Sequence, residues 1–261
     1  SDTPVLETDI LVLEATYGSP FQVRPFRKIV ESALVSLVES ALKIGPLYIF
    51  GYHGKLQEVM HILHKNHVDA PFIMPQKVFH AAKVCERYGM RLGKILSTDE
   101  EETKEITKRN VPYIAFHHMN SKRYVGTDAL RICVSGWEFT GPRRQVAPNE
   151  HVVALSDHAD FKELLQYVSE SKPKLVITDN YRVGDATVLA HEIERQLGIP
   201  AMASAGPRSG RGKSIGCAIP AGSAPSPITP ARRESSASSG SSRSGSTPEH
   251  GSRRTIPSGS S

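Results

Sequence analysis

Short apolar runs of strand length alternate along residues 9–202 with longer segments in which apolar residues recur at helical period. This alternation is typical of α/β proteins, in which the helices that connect the strands cover a sheet. The predicted strands are Ile10–Leu13, Leu47–Phe50, Val111–Ala115, Leu130–Val134, His151–Leu155 and Leu175–Thr178. The predicted helices are Phe26–Lys43, Gln57–His67, Gln76–Tyr88, Asp99–Arg109, Phe161–Ser169 and Ala186–Leu197. The sequence therefore predicts a layered α/β fold.

The composition changes after Ala205, where Ser, Gly, Pro and Arg dominate and few apolar residues remain. Because such a segment buries too little apolar surface to offset its chain entropy, we expect residues 206–261 to be disordered. Two interpretations stay open: a basic tail that binds nucleic acid weakly, or an extension that is not native. Gly206–Ser214 superficially resembles a phosphate-binding loop, but it lacks a flanking strand and helix, so we do not interpret it as one.

The basic character of the chain belongs to this tail. The formal net charge is +5, and the tail carries eight Lys and Arg side chains against two Glu side chains. The remaining residues are therefore close to neutral, and the overall charge says little about a binding groove in the folded part.

The sequence also indicates a compartment. No segment has the length and apolar character of a membrane span, and the first ten residues do not resemble a signal peptide. Cys85, Cys133 and Cys217 are widely separated, which favours buried thiols in a reducing environment over disulfides. We therefore expect a cytoplasmic protein that has no contact with a membrane.

Two predicted strands end in ionisable side chains. Glu14 directly follows Ile10–Leu13, and His158 lies shortly after His151–Leu155. Binding and catalytic side chains of α/β sheets usually lie at the carboxyl ends of strands, and histidine changes its charge near neutral pH. A structural role is the alternative for Glu14, and Asp160 is a natural N-cap for the helix that follows.

A third candidate is the segment Ser135–Arg144, which is rich in glycine and contains Trp137 and the arginine pair Arg143 and Arg144. Arginine binds phosphate in a bidentate manner, and an aromatic ring stacks on a base, so this combination suits nucleic acid. A tight turn with ordinary surface arginines is the competing interpretation.

Two histidine-containing segments are weaker candidates. His117 and His118 precede Lys122 and Arg123 in a polar loop that could contact a phosphate. His61, His64 and His67 recur every three residues in one predicted helix, and a surface stripe is favoured over a zinc site because no carboxylate or cysteine accompanies them.

Taken in order, four segments resemble motifs of the β-CASP branch of the metallo-β-lactamase superfamily. They are Leu11–Pro20, Gly54–Glu58, Ser135–Arg144 and Leu155–Phe161. The resemblance implies that Glu14 is the motif A acid and that His158 is the motif B histidine. It also implies a partial metallo-β-lactamase sheet at residues 1–20 and 149–205, interrupted by an inserted β-CASP-like domain at residues 21–148.

Enzymes of this branch hydrolyse phosphodiester bonds of RNA or DNA with two zinc ions that activate a water molecule. The resemblance implies that Glu14 and His158 assist the metal centre, with the histidine helping the leaving oxygen to gain its proton. The expected substrate-binding residues are Lys55, Lys122, Arg123, Trp137, Arg143 and Arg144. RNA and DNA stay open as substrates.

The chain departs from this pattern at the metal ligands. The histidine and aspartate cluster of the family should precede Ile10, and only nine residues do so here. Asp179 stands where the family often has a histidine ligand, and a structural use of Asp179 is favoured over metal binding. We therefore expect no bound zinc and no hydrolysis for the isolated chain, and an exposed edge at Ile10–Leu13.

The same departure leaves further interpretations. In one interpretation the complete gene product, or another chain, supplies the first half of the sheet. In another, the protein is a non-catalytic nucleic-acid-binding or scaffold subunit of an RNA-processing complex. A small-molecule hydrolase is a third interpretation, although an inserted domain of this size suits a polymeric substrate better.

Overall fold

The computed structural model of the protein describes residues 4–109, 111–126, 128–181 and 183–206. Apart from Gly206, the tail that is predicted to be disordered lies outside the described residues. The same is true of the glycine-rich segment that resembles a phosphate-binding loop and ends at Ser214. Cys133 is buried and Cys85 is half-buried, both as free thiols, whereas Cys217 lies outside the described ranges.

The protein has an α/β fold, as predicted. Its strands are β1 Ile10–Leu13, β2 Leu47–Gly51, β3 Phe72–Met74, β4 Ile95–Ser97, β5 Ile114–His118, β6 Leu130–Val134, β7 Arg143–Ala147, β8 Glu150–Val153, β9 Leu175–Thr178 and β10 Ala201–Ala203. Its α-helices are α1 Val30–Leu42, α2 Lys55–Lys65, α3 Gln76–Arg87, α4 Glu101–Lys108, α5 Phe161–Ser171 and α6 Ala186–Leu197, and short 3₁₀ helices cover Arg27–Ile29 and Met119–Tyr124.

The strands form two sheets. Seven strands form one sheet in the order β4-β3-β5-β2-β6-β8-β7, and all neighbours are parallel except β7 and β8. The other sheet has the order β1-β9-β10 and is parallel throughout. Because most strands are parallel, their carboxyl ends gather at one edge of each sheet, which is where loops can converge on a ligand.

Helices α1, α2 and α3 cover one face of the seven-stranded sheet. Leu34 of α1, Met60 of α2 and Val78 of α3 belong to the same buried cluster as Ile49 of β2 and Phe116 of β5. The helical period brings the apolar side of each helix onto the sheet, and burial of these side chains stabilises the packing by roughly 25 cal/mol per Å² of apolar surface.

The described residues cover the three-stranded sheet on one face only. Leu11 and Leu13 point towards α5 and α6 and pack into a second buried cluster. Their neighbours on the opposite face, Ile10 and Val12 of β1 and Met202 of β10, are 56%, 68% and 55% exposed. The register places these three side chains on one side, which we call the open sheet face. Within the described residues β1 pairs with β9 alone, so Ile10–Leu13 is an edge strand of this sheet, as expected.

The sequence missed four strands. β3, β4 and β10 contain three residues each, which is too short to display an alternating pattern. β7 is exposed along its whole length and begins with two arginines, so it lacks a buried face. β5 begins at Ile114, three residues after the predicted start.

The boundary between the two sheets differs slightly from the predicted domain boundary. The seven-stranded sheet extends to Val153 of β8, beyond the predicted end of the inserted domain at residue 148. The division into named domains stays a prediction. No helix in the described ranges has both the length and the apolar character that a bilayer span requires.

Candidate functional site

Glu14 and His158 lie next to each other, although 144 residues separate them in sequence. Glu14 follows β1, and His158 lies in the loop that joins β8 to α5. The distance from Glu14 Oε1 to His158 Nδ1 is 3.3 Å, and the side chains are 33% and 38% exposed. The pair is therefore fixed by the fold and open to a ligand from solvent.

Neighbouring groups orient both members of the pair. The Thr16 backbone N–H donates to Glu14 Oε2 at 2.7 Å, which leaves Oε1 for His158. The His158 backbone N–H donates to Ser156 Oγ at 3.2 Å, and the Tyr17 hydroxyl lies 3.2 Å from the same oxygen. When Nδ1 carries the proton shared with Glu14, the outer ring nitrogen Nε2 is directed away from the carboxylate and can exchange a proton with a ligand.

The buried Arg24 holds the loop that carries His158, and the sequence analysis did not identify it. Its guanidinium donates from Nη2 to the His158 carbonyl at 2.8 Å and from Nη1 to the Gly136 carbonyl at 2.9 Å. Its charge also lies 4.4 Å from the centre of the Tyr17 ring. Arg24 is only 3% exposed, so it joins three separate segments inside the protein.

Asp160 fixes the other end of this loop. Its Oδ1 accepts from the Glu163 backbone N–H at 3.1 Å, and the Glu163 side chain bonds back to the Asp160 N–H, which forms a capping box at the start of α5. Asp160 Oδ2 accepts from the Arg24 backbone N–H at 2.9 Å. Asp160 is therefore the N-cap of α5, as expected, and it also accepts one hydrogen bond from the backbone of Arg24.

An aromatic cluster borders the Glu14–His158 pair. The Tyr17 ring packs edge-on against Trp137 at 5.2 Å, Phe139 at 5.4 Å and His158 at 5.9 Å, measured between ring centres. Gly136 permits this approach, because a Cβ there would lie 2.0 Å from the Tyr17 hydroxyl oxygen. Trp137 keeps 46% of its surface exposed, so an indole face is available beside the pair.

The loop after Trp137 is organised by the buried carboxylate of Glu138. Glu138 Oε2 accepts from Arg144 Nε at 2.7 Å, and Oε1 accepts from the backbone N–H of Thr140 at 2.8 Å. Burial raises the pKa of Glu138, but the hydrogen bonds from Thr140 and Arg144 outweigh burial and hold the pKa below its usual value. Arg144 is thus tied to the loop, whereas Arg143 has no ion pair within the described ranges.

Lys55 links the seven-stranded sheet to the same site. It begins α2 after Gly54, whose positive φ of 87° suits glycine. Lys55 Nζ lies 2.8 Å from Asp157 Oδ1, next to His158 in sequence. Burial raises the pKa of Asp157, but the hydrogen bond and charge of Lys55 outweigh it and lower the pKa. Of the predicted binding residues, Lys55 contacts Asp157, next to His158 in sequence, and Trp137 contacts Tyr17, which packs against His158.

Lys122 and Arg123 lie elsewhere, in the 3₁₀ helix after β5. Lys122 pairs with Glu150, and the guanidinium of Arg131 lies 3.7 Å from the same carboxylate. Arg123 lies over the ring of Tyr124 at 4.7 Å. No contact within the described ranges joins Lys122 or Arg123 to Glu14 or His158, so their predicted contact with substrate stays a prediction.

The described residues do not form a zinc site. No group of three His, Cys, Asp or Glu side chains among them could hold a metal ion. Asp179 Oδ1 accepts from the Tyr181 backbone N–H at 3.0 Å, and the Asp179 N–H donates to the Leu13 carbonyl at 2.8 Å. Asp179 therefore has a structural task in the turn after β9, and the donor set present does not fit two zinc ions.

Comparisons with known proteins give limited similarity. No family model matches the chain. It is 41% identical over 88 residues to an uncharacterized protein in the lig 3′ region of Acidianus ambivalens, which covers 34% of this chain and 63% of that protein. It is 30% identical over 96 residues to an RNase J-like protein of Methanocaldococcus jannaschii, which covers 34% of this chain and 23% of that protein. The chain therefore spans less than two thirds of either relative.

Among solved structures, the chain is similar to a protein of unknown function from Enterococcus faecalis V583. That similarity has 13% sequence identity and a TM-score of 0.42, and it covers 67% of this chain and 46% of the other.

Proposed function

We propose that this chain is part of a metallo-β-lactamase-type nuclease of the β-CASP branch that hydrolyses phosphodiester bonds of single-stranded RNA. The observation that carries the proposal is the 3.3 Å contact between Glu14 and His158 at the strand ends that the motifs predicted. The similarity to an RNase J-like protein supports a nuclease and favours RNA over DNA.

The proposal assigns one proton transfer to the pair. Glu14 accepts a hydrogen bond from Nδ1 of His158 and holds the imidazolium form in place, so that Nε2 faces the substrate. As water adds to phosphorus and the bond to the ester oxygen breaks, Nε2 gives its proton to that leaving oxygen. The attacking water releases one proton to solvent, and the imidazole takes up a proton from solvent before the next cycle. Positioned proton transfer of this kind contributes about 10²- to 10⁴-fold to a rate. The two zinc ions implied by the resemblance would need ligands outside the described residues.

Trp137 and the basic residues supply binding in this proposal. The exposed indole face beside Tyr17 stacks on a base, while Lys55 and Arg143 contact phosphates. Base stacking on an aromatic side chain contributes roughly 1–3 kcal/mol per base. Lys122 and Arg123 are secondary candidates because no contact within the described ranges joins them to Glu14 or His158, and Arg144 is secondary because Glu138 holds its guanidinium. Lys55 also has an internal partner, Asp157, but that contact places it next to His158 in sequence.

The open sheet face is evidence that another segment packs against the three-stranded sheet. Ile10, Val12 and Met202 expose apolar side chains on one side of the three-stranded sheet. Contiguous apolar surface of this kind is typical of an interface. We propose that a further layer, on the same polypeptide or on another chain, packs there and brings the metal ligands.

Binding is tested by fluorescence anisotropy with labelled single-stranded RNA and with DNA of the same sequence. Trp137→Leu should weaken RNA binding by roughly 5- to 150-fold, which corresponds to the loss of one stacked base. The matched control is Tyr88→Leu, which removes an aromatic side chain that is 85% exposed at the end of α3 and should leave binding unchanged. Equal effects of the two substitutions would contradict the assignment of Trp137, and tighter binding of DNA would make DNA the substrate.

Catalysis is tested separately. The chain with added Zn²⁺ or Mn²⁺ should leave labelled RNA uncut, whereas the full-length gene product should cleave it. In that product His158→Asn should lower kcat by about 10²- to 10⁴-fold with little change in KM, because the lost interaction belongs to the transition state. An unchanged kcat would remove His158 from the mechanism, and binding without cleavage by the full-length product would favour the non-catalytic subunit.

A further inference from the structure

A second group of basic side chains lies at the carboxyl edge of the seven-stranded sheet. His53 follows β2, His118 ends β5, and Lys77 lies in the first turn of α3 after β3. Strands β3, β5 and β2 are parallel neighbours, so their carboxyl ends open on the same side. We call His53, Lys77 and His118 the basic cluster. None of them belongs to the binding residues discussed above.

The members of the basic cluster act on one another. The rings of His53 and His118 lie 5.1 Å apart between centres, and Tyr52 packs edge-on against His118 at 5.2 Å. Burial lowers the pKa of His118, and the charges of His53 and Lys77 lower it further. No carboxylate is among the groups that shift this pKa. Within the described residues, no acid forms an ion pair with His53, Lys77 or His118.

The hydrogen bonding of His118 suits an anion. Its Nδ1 accepts from the Asn120 backbone N–H at 3.3 Å, so a neutral ring carries its proton on Nε2. That N–H is a donor even before the ring becomes charged. Protonation of His118 takes place at Nδ1 and gives up the hydrogen bond from Asn120, so the charged ring needs a bound anion to favour it. Lys77, which is exposed and has no ion pair within the described ranges, adds a fixed positive charge to the cluster.

The surrounding lysines behave differently. Lys83, on the same helix as Lys77, pairs with Glu86 at 2.7 Å, and Lys55 pairs with Asp157 at 2.8 Å. Each of these two lysines has an acidic partner that offsets its charge. Within the described residues, the basic cluster has no such partner, so the repulsion between its charged forms is not offset. A bound anion would relieve it, and a phosphate offers enough acceptor oxygens for all three side chains.

We propose that His53, Lys77 and His118 bind a phosphate group of the nucleic-acid strand whose cleavage is assigned to Glu14 and His158. This inference rests on the proposed function for the identity of the strand. His53 is two residues before Lys55, and Lys55 pairs with Asp157, the residue before His158. One member of the cluster is therefore close in sequence to a residue that contacts the loop carrying His158. Binding is coupled to proton uptake, because a phosphate stabilises the imidazolium forms. Affinity therefore rises as the pH falls from about 8 to about 6.

Inorganic phosphate is the first probe, because it tests the cluster without any nuclease activity. The histidine ring signals are followed by NMR during a pH titration, in phosphate and in chloride at equal ionic strength. Phosphate should raise the pKa of His118, while His191, which is exposed on α6, serves as the internal control and should not change. Identical titrations of His118 in the two salts would overturn the proposal.

Labelled single-stranded RNA is the second probe. The double variant His53→Gln with His118→Gln should remove the gain in affinity between about pH 8 and about pH 6, whereas His191→Gln should retain it. Lys77→Gln should weaken binding several-fold and reduce the salt slope by about 0.7, as expected for one lost phosphate contact on a single strand. Lys65→Gln, at the far end of α2, is the matched control.

The outcomes separate the two proposals. RNA binding that is unaffected by the double variant and by Lys77→Gln refutes the basic cluster but leaves the proposed function intact. A phosphate-dependent pKa of His118 in a protein that fails to bind RNA supports the cluster and refutes the proposed function. RNA with and without a 5′-phosphate then shows whether a terminal or an internal phosphate occupies the cluster.

Discussion

Replacing Arg24 tests whether the candidate site is held by one buried side chain. Arg24→Met keeps much of the apolar length of the side chain but removes the charged donors to the Gly136 and His158 carbonyls. Hydrogen bonds from a charged donor contribute roughly 1.5–3 kcal/mol each, and a buried carbonyl left without a partner costs about 1–3 kcal/mol. These two descriptions overlap, so we expect a loss of about 3–5 kcal/mol in the free energy of unfolding.

Arg27→Met is the matched control, because it removes an arginine three residues further along the chain. Arg27 pairs with Glu163 at the surface, and the two side chains are 40% and 38% exposed. Exposed ion pairs contribute about 0–1 kcal/mol, so this variant should remain close to the parent. Both are measured by urea unfolding followed by far-ultraviolet circular dichroism.

The chain contains one tryptophan, so fluorescence adds a local measurement. Trp137 follows Gly136, whose carbonyl accepts from Arg24, and Arg24→Met should therefore shift the native emission of Trp137 before global unfolding. Arg24→Lys should recover only part of the stability, because one ammonium does not reproduce the planar guanidinium that reaches two carbonyls. The reasoning is refuted if Arg24→Met and Arg27→Met lower stability by the same amount.

Three further substitutions address other features. Gly136→Ala should destabilise the protein and weaken RNA binding, because the added Cβ would lie 2.0 Å from the Tyr17 hydroxyl oxygen. Gly45→Ala is the control, since its Cβ would meet nothing within 4 Å, and it should leave the thermal melting temperature unchanged. Glu138→Gln should cost about 1–3 kcal/mol at neutral pH. The pKa of Glu138 is lowered in the folded protein, so its contribution is present above the unfolded value and fades as the pH falls through the folded value; a difference that persists in acid would contradict this. Val12→Thr should reduce the binding of a hydrophobic fluorescent dye more than Val188→Thr does, since Val188 is an isolated exposed side chain on α6, and equal reductions would argue against the open sheet face as a continuous apolar surface.

The sequence predicts most elements that have a strong periodic pattern. All six predicted helices are present, and the strand ends that carry Glu14 and His158 do meet. The two strands belong to different sheets, so the contact between Glu14 and His158 depends on how the two sheets pack, which the local patterns do not contain.

Other features could not be predicted because they depend on contacts between distant segments. Arg24 lies in a loop between β1 and α1 that has no periodic pattern, and a buried arginine is unusual. Lys122 is predicted to contact substrate from its position in a polar loop after a strand, and the pairing of its ammonium with Glu150, 28 residues away, is a contact that the sequence does not indicate. To predict the role of Arg24, one would need to know in advance that the fold leaves the Gly136 and His158 carbonyls without a backbone hydrogen-bond donor.

The pairing of β1 with β9 determines when Glu14 and His158 can come together. Ile10 pairs with Leu175, so the intervening chain must bring its two ends together before the three-stranded sheet exists. Closing so long a loop is entropically costly, and prior folding of the seven-stranded sheet would shorten the effective span. We therefore infer that Glu14 and His158 assemble late during folding and separate early during unfolding. In hydrogen exchange, the amides of β1 should open at a lower free energy than those of β2 at the centre of the larger sheet.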